Sequence, residues 1–265
     1  MKKTHMLLID CQNDFCSPQG SLFVTGADQD MSRLSNLIDR LGNKITDIHA
    51  TLDSHQPIQI FFESYWRDSN GNHPAPFTMI GVEDVEKRTW TPVIEGARQR
   101  SLDYVKSLRD QGKYCLLIWP YHTIIGSWGA SLVPSVSDSL VNWCKIKRNK
   151  VDFCIKGDNP FTEMFSVFKA EVPDNADPNT TLNGGLIERI NAADEILIAG
   201  EALSHCVKSS VEDLINEVGE SFAKKFVFLQ DASSSVTGFE KNGEDFIKEM
   251  KKIGMRFTTT TDYLA

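Results

Sequence analysis

The sequence predicts an α/β protein, a mainly parallel sheet covered by helices on both faces. Three observations carry this. Short apolar, β-leaning runs alternate along the chain with segments whose apolar positions recur at helical spacing. At 265 residues, 41% hydrophobic and 24% charged, the chain can bury a full core and fits one large α/β unit better than two small ones. Finally, polar and reactive side chains fall at or just after the predicted strand ends, where open α/β sheets bind their ligands.

The first strand is expected over residues 5–10 and ends on Asp10; a Pro- and Gly-containing loop over 11–20 follows it. Met31, Leu34, Leu37, Ile38 and Leu41 then mark one face of a helix over 30–41. A second strand over 45–52 runs into Asp53-Ser54-His55. Side chains alternate along an extended chain, so Asp53 and His55 point the same way and form a workable metal-ligand pair. Residues 56–97 break the pattern, with an extended piece at 58–62, a polar turn at 68–72 and prolines at 74 and 76. We read them as an inserted flap.

Helical spacing resumes over 101–108, and a strand over 114–118 ends on Trp119-Pro120-Tyr121-His122. A helix over 130–143 is entered late because of Pro134. The strand over 151–155 ends on Lys156-Gly157, and a helix over 182–191 leads to the strand over 195–199. There the chain turns through Gly200-Glu201-Ala202-Leu203-Ser204-His205-Cys206-Val207 into a helix over 207–215. A strand over 225–229, a helix over 241–252 and a strand over 255–258 complete the alternation. The chain contains no internal repeat and no low-complexity tract.

Cys206 falls in the first turn of a helix, where free N–H groups and the dipole favour a thiolate. It is a candidate nucleophile; a small residue packing the strand–helix corner is the bland reading. Asp10 is a candidate base for its proton, and Lys156 a cation that favours the thiolate and positions the carboxylate. Either charge alone reads equally as a salt bridge tying down a loop. Five strand ends supply the set Asp10, Asp53 with His55, His122, Lys156 and Cys206. That concentration favours the catalytic reading.

A net charge of −8 with no basic stripe argues against nucleic acid or an anionic membrane surface as the main partner. Met6-Leu7-Leu8-Ile9 is too short for a signal-peptide core, and no run is long enough to span a bilayer. Six scattered cysteines lack disulfide or metal spacing. We expect a cytoplasmic protein with reduced thiols.

Ile9-Asp10-Cys11-Gln12-Asn13-Asp14-Phe15 with Gly20-Ser21-Leu22 resembles the N-terminal signature of nicotinamidases among the isochorismatase-like cysteine hydrolases. Asp53-Ser54-His55, Trp119-Pro120-Tyr121-His122 with Gly126 and Gly129, Lys156-Gly157 with Phe165-Ser166, and Gly200 through Val207 follow in the family's order. The resemblance implies a single Rossmann-like domain over 1–265, a three-layer sandwich with six strands in the order 3-2-1-4-5-6. It implies a catalytic triad of Asp10, Lys156 and Cys206. Asp53, His55 and His122 match ligands of a divalent metal, zinc foremost, with iron or manganese as alternatives. A cis bond between Glu201 and Ala202, an oxyanion hole from the N–H groups of Ala202 and Cys206, and a substrate pocket lined by Phe15 and Trp119 complete the set.

The implied reaction cleaves a small aromatic or heteroaromatic carboxamide to acid and ammonia through a thioester, with the metal orienting the substrate ring. A dimer or larger assembly is implied as well. Isochorismatases share the fold but do not use this cysteine. An N-carbamoyl amidase would keep the triad and need no metal, and a non-catalytic metal-binding or redox-responsive protein would use neither for turnover. Three departures stand out. The stretch after the first metal pair is long and carries His73, a candidate to replace or supplement His122. Glu201 places a carboxylate beside the oxyanion hole, where it could alter substrate choice. His205 is a candidate second proton carrier, with the bland reading that it faces the first helical turn and does nothing chemical.

Overall fold

Six parallel strands form the central sheet of the computed structural model, which describes residues 2–265. They are β1 (Thr4–Ile9), β2 (Asp47–Asp53), β3 (Asp152–Lys156), β4 (Glu195–Gly200), β5 (Phe226–Leu229) and β6 (Arg256–Thr258). Neighbours run β6-β5-β4-β1-β2-β3, all parallel. This is the expected 3-2-1-4-5-6 order. From β1 the chain builds outward through β2 and β3, then returns to the other side of β1 with β4, so the strand order switches beside β1.

Six helices cover the sheet: α1 (Ala27–Leu41), α2 (Arg98–Asp110), α3 (Pro134–Lys147), α4 (Gly184–Asn191), α5 (Lys208–Val218) and α6 (Glu240–Lys252). The period of two along a strand decides which helix each side chain meets. Met6 and Leu8 of β1 pack with Leu34 and Ile38 of α1 and Leu140 and Trp143 of α3. Leu7 and Ile9 point the other way, into a core shared with Leu186 of α4, Leu214 of α5 and Phe246 of α6. Pro134 stands in the first turn of α3, where its missing N–H would have had no helical partner.

One part of the chain differs from the expectation. The 114–118 run supplies no strand to the central sheet; only Leu116–Leu117 is extended, and it pairs antiparallel with Met79–Ile80. His122 therefore reaches the site from a ribbon and loop, not from a sheet strand. Residues 56–97 are packed structure. Ile60, Phe61, Phe62, Tyr65 and Trp66 are fully buried in the core on the α4–α6 face, together with Leu102 and Val105 of α2. At roughly 1.5–3 kcal/mol per buried large apolar side chain, this segment contributes substantially to the fold.

The join of β1 and β4 is tight. Ile9 lies opposite Gly200, whose φ is 119°, and a Cβ there would sit 2.0 Å from the Ile9 carbonyl oxygen. Only glycine fits. The close approach brings the end of β4, and the turn carrying Cys206, against the residue that follows β1.

Candidate active site

Asp10 leaves β1 with a φ of 47° and no exposed surface. Thr51 of β2 holds it from both sides: the Asp10 N–H donates to Thr51 Oγ1 at 3.0 Å, and the Thr51 hydroxyl donates to Asp10 Oδ1. Such a left-handed non-glycine residue persists only where its surroundings hold it, and this reciprocal pair does so. Lys156, the last residue of β3, places Nζ 3.0 Å from Asp10 Oδ2, 2.9 Å from Asp53 Oδ1 and 3.7 Å from Cys206 Sγ. It also donates to the Met164 carbonyl at 3.0 Å. Three strand ends and the turn after β4 thus converge on one ammonium.

Cys206 stands in a π-helical turn, Leu203–Val207, that leads into α5, with the Val207 N–H donating to the Ala202 carbonyl at 3.1 Å. Wide turns of this kind are frequent at functional sites. Burial pushes the Cys206 thiol well above its ordinary range, with Lys156 pulling the other way. Removal from water outweighs the nearby cation, so the sulfur rests as a thiol and needs a base. Burial also raises the Asp10 carboxyl, against the pull of Lys156, and the Cys206 thiol lies within hydrogen-bonding reach of it. A carboxylate of raised pKa beside a protonated thiol is suited to general-base work.

Asp53, His55 and His122 are all buried, and their ligand atoms lie within 4.8 Å of one another. His55 donates through Nδ1 to the Gly157 carbonyl at 2.8 Å, and His122 through Nδ1 to the Pro120 carbonyl at 2.8 Å. Both rings therefore turn Nε2 toward Asp53 Oδ2, at 2.9 and 3.9 Å. Anchoring of the remote nitrogen is how proteins orient metal-bound imidazoles. Burial, and then His55, lower His122 to a pKa of about 4, so the ring is a neutral imidazole. Burial works to raise Asp53, but His55 and Lys156 hold it below the usual carboxylate range. Gln12 fixes the Asp53 backbone, accepting from its N–H at 2.8 Å and donating to its carbonyl at 2.7 Å. The donor set of two imidazoles and one carboxylate fits a divalent transition metal and leaves coordination positions open.

Both groups open onto one pocket. Phe15 and Trp119 line it, with Phe165, Ala202, His205 and Cys206. The Phe15 ring lies 5.4 Å from that of His122. The Glu201–Ala202 peptide is cis, and the Ala202 N–H has no hydrogen-bond acceptor among the described residues.

Each of the three departures has a definite place in the structure. His73 is exposed, with Nδ1 donating to the Trp66 carbonyl at 2.6 Å, and takes no part in the metal group. The side chain of Glu201 turns away from the pocket: its Oε2 accepts from the Ser234 N–H at 3.0 Å, and it faces Asp30. Burial, and next the Asp30 carboxylate, push Glu201 well up, so it is a protonated structural group. His205 lines the pocket.

Two further residues belong to the site. Glu163 lines the pocket, accepts from Trp119 Nε1 at 2.7 Å, and is raised well above its ordinary range by burial and then by Glu171. Thr51 steers Asp10. Neither has a sequence signal, since Glu163 lies in an aperiodic loop and Thr51 reads as one more β-branched strand residue.

No family model matches the chain. A nicotinamidase of Escherichia coli (strain K12) is 24% identical over 259 residues, covering 97% of this chain and 95% of that one. The nicotinamidase/pyrazinamidase of Acinetobacter baumanii superposes with a TM-score of 0.66 at 19% identity, covering 99% of each chain. The pyrazinamidase of Pyrococcus horikoshii in complex with zinc gives a TM-score of 0.58 at 19% identity, covering 97% of this chain and 99% of that one. An isochorismatase-like hydrolase of Alkaliphilus metalliredigens gives 0.53 at 16% identity, covering 99% and 97%. These likenesses run over nearly the whole chain and agree with the resemblance read from its motifs.

Proposed function

We propose that this relative of the nicotinamidases and isochorismatase-like hydrolases is a metal-assisted cysteine amidohydrolase. Its substrate is a small aromatic or heteroaromatic carboxamide, cleaved to the acid and ammonia. The observation that carries the reading is Lys156 Nζ, which touches Asp10 and Asp53 and lies 3.7 Å from Cys206 Sγ. One cation thereby joins a nucleophile–base pair to a metal-ligand trio in a single pocket. An N-carbamoyl amidase would not need that trio.

Asp10 takes the thiol proton as Cys206 Sγ attacks the amide carbonyl carbon. Lys156 keeps the Asp10 carboxylate in place and offsets the charge that builds on sulfur. The Ala202 and Cys206 N–H groups receive the oxygen of the tetrahedral adduct, each such donor being worth about 2.7–4 kcal/mol. Asp10 then passes its proton to the leaving nitrogen, and ammonia departs. A water deprotonated by Asp10 hydrolyses the thioester and restores the thiol. Asp53, His55 and His122 would hold the divalent metal, zinc in the first instance, which supplies a template for the substrate ring. Phe15 and Trp119 supply apolar walls to the pocket that receives that ring.

The test is ammonia release from nicotinamide, pyrazinamide and an N-carbamoyl compound by wild type and Cys206→Ala, before and after chelation. Release from the aromatic amides that needs both Cys206 and metal is the expected result. Turnover of the carbamoyl compound alone, untouched by chelation, would move the protein to the metal-independent amidases.

A further inference from the structure

We propose that His5 and His49 form a second site for a divalent transition metal, at the end of the sheet opposite the candidate active site. The proposal does not rest on the amidase reading and concerns residues that take no part in it.

Sheet register builds the site. His5 of β1 lies opposite Asp47 of β2, and His49 of β2 lies opposite Asp152 of β3. Side chains alternate along each strand, so all four stand on the face of the sheet that α4 covers. Four positions along β2 separate His49 from Asp53, about 13 Å of extended chain. His5 and His49 are buried, and His5 Nδ1 lies 3.1 Å from His49 Nε2. Each ring has a carboxylate at its remote nitrogen. Asp152 Oδ2 is 2.7 Å from His49 Nδ1, and Asp47 Oδ2 is 3.3 Å from His5 Nε2. Arg189 of α4 fixes Asp152, its Nε donating to the same oxygen at 2.7 Å.

Two neutral imidazoles do not carry enough protons for these contacts. An ionised carboxylate only accepts, so His49 Nδ1 holds its ring proton and Nε2 presents a lone pair to His5. A neutral His5 has one proton to place. On Nδ1 it serves His49 and leaves a bare nitrogen facing the Asp47 carboxylate. On Nε2 it serves Asp47 and leaves two lone pairs opposed at 3.1 Å. One added positive charge between the rings satisfies every contact. Burial, followed by His49, lowers His5 from its ordinary pKa, so at neutral pH a proton is not that charge. Lys3 opposes a cation at His5, whereas Asp47 and Asp194 favour one.

The geometry suits a metal ion. Two imidazoles on one ion, with bonds of about 2.0–2.1 Å, hold their nitrogens about 2.9 Å apart at a right angle and about 3.3 Å apart at the tetrahedral angle. The observed 3.1 Å falls between these values. A carboxylate at the remote N–H is also what orients a metal-bound imidazole and raises its basicity. His5 and His49 line a groove with Lys3, Thr46, Asn149 and Lys150, which admits an ion with its waters. Nitrogen donors select zinc, nickel or copper over magnesium and calcium, which take oxygen. An ion held there would tie β1 to β2 and, through Asp152, to β3.

The experiment titrates zinc into the full chain against a chelating dye. It compares wild type, His49→Gln, Asp152→Asn, His55→Ala with His122→Ala, and that pair combined with His49→Gln. An equivalent of zinc that persists without His55 and His122 and is lost with His49→Gln supports the site, whatever the Asp53 group holds. Asp152→Asn keeps both imidazoles and should weaken the same equivalent about 10- to 100-fold, which also serves if His49→Gln does not fold. Zinc should raise the Tm of the His55→Ala, His122→Ala protein and leave that of the triple variant unmoved. Zinc binding that survives both His49→Gln and Asp152→Asn at unchanged affinity, or a folded His55→Ala, His122→Ala chain that binds none, overturns the proposal.

Discussion

Thr51→Val is the sharpest test of Asp10 as the base, because it touches neither substrate, metal nor nucleophile. Valine keeps the shape of threonine and removes its oxygen. Asp10 then loses the hydroxyl that donates to Oδ1, and its own N–H loses the acceptor at 3.0 Å. The hydroxyl bond favours the charged carboxylate, so its loss raises an acid already raised by burial. A hydrogen bond to a charged group is worth about 1.5–3 kcal/mol. At 1.36 kcal/mol per pH unit, the acid limb of kcat/KM should move up by about one to two pH units. The sign follows from the role: the base works only when ionised, and a higher pKa means it is protonated at a higher pH. The orphaned N–H costs a further ~1–3 kcal/mol of stability, a fall in Tm of several degrees. The assay is acid production across a pH series at a temperature where both proteins are folded. An acid limb that stays put or moves down, while Tm falls as expected, would refute Asp10 as the group that limits the reaction.

Gly157→Ala should strip the metal site without touching a ligand. Its φ is 89°, and a Cβ there would lie 2.7 Å from Asp53 Oδ1 and 2.8 Å from His55 Cε1. Affinity for zinc, read by competition with a chelating dye, should fall about 10- to 100-fold, and an unchanged affinity would count against the site. Glu201→Gln addresses the buried carboxyl pair. Because burial and Asp30 raise Glu201, the folded chain keeps a proton that the unfolded chain releases above its ordinary 4.5. That contribution is complete below 4.5 and is lost as pH rises through the folded value. The variant should gain Tm over wild type progressively toward alkaline pH, and parallel Tm–pH curves would exclude the assignment.

What the sequence discloses of this fold depends on periodicity. Met6 to Ile9 and the run from 195 to 199 are continuous apolar runs of strand length, and the apolar face of α1 repeats at helical spacing, so each element is legible in the sequence. Leu116–Leu117 is too short to carry any period, so a two-residue rung of a ribbon looked like the end of a sheet strand. Phe61, Phe62, Tyr65 and Trp66 are apolar but aperiodic, since they cover a sheet face from a winding chain, and hydrophobicity without period reads as loop. The site follows the same division. Asp10, Asp53 and Lys156 close regular strands, so their convergence could be expected from topology. The direction of Glu201 depends on how the chain reverses at Gly200–Ala202, and that of His205 on a π-helical turn. Neither reversal has a sequence signal strong enough to say which of two adjacent side chains enters the pocket.

Lys156 makes the two halves of the site interdependent. Its ammonium would be costly to bury alone, and burial works against its charge, yet Asp10 and Asp53 together hold its pKa well above the ordinary value. Each carboxylate in turn relies on a partner it shares. A divalent cation at Asp53, His55 and His122 would draw charge from Asp53 and weaken its hold on Lys156, leaving that ammonium more fully to Asp10 and Cys206. Removing the metal would return it toward Asp53. Metal occupancy would therefore bear on the nucleophile as well as on the proposed orientation of the substrate. The consequence can be read without any substrate, because the rate at which an alkylating agent modifies Cys206 should then change between the metal-loaded and the chelated protein.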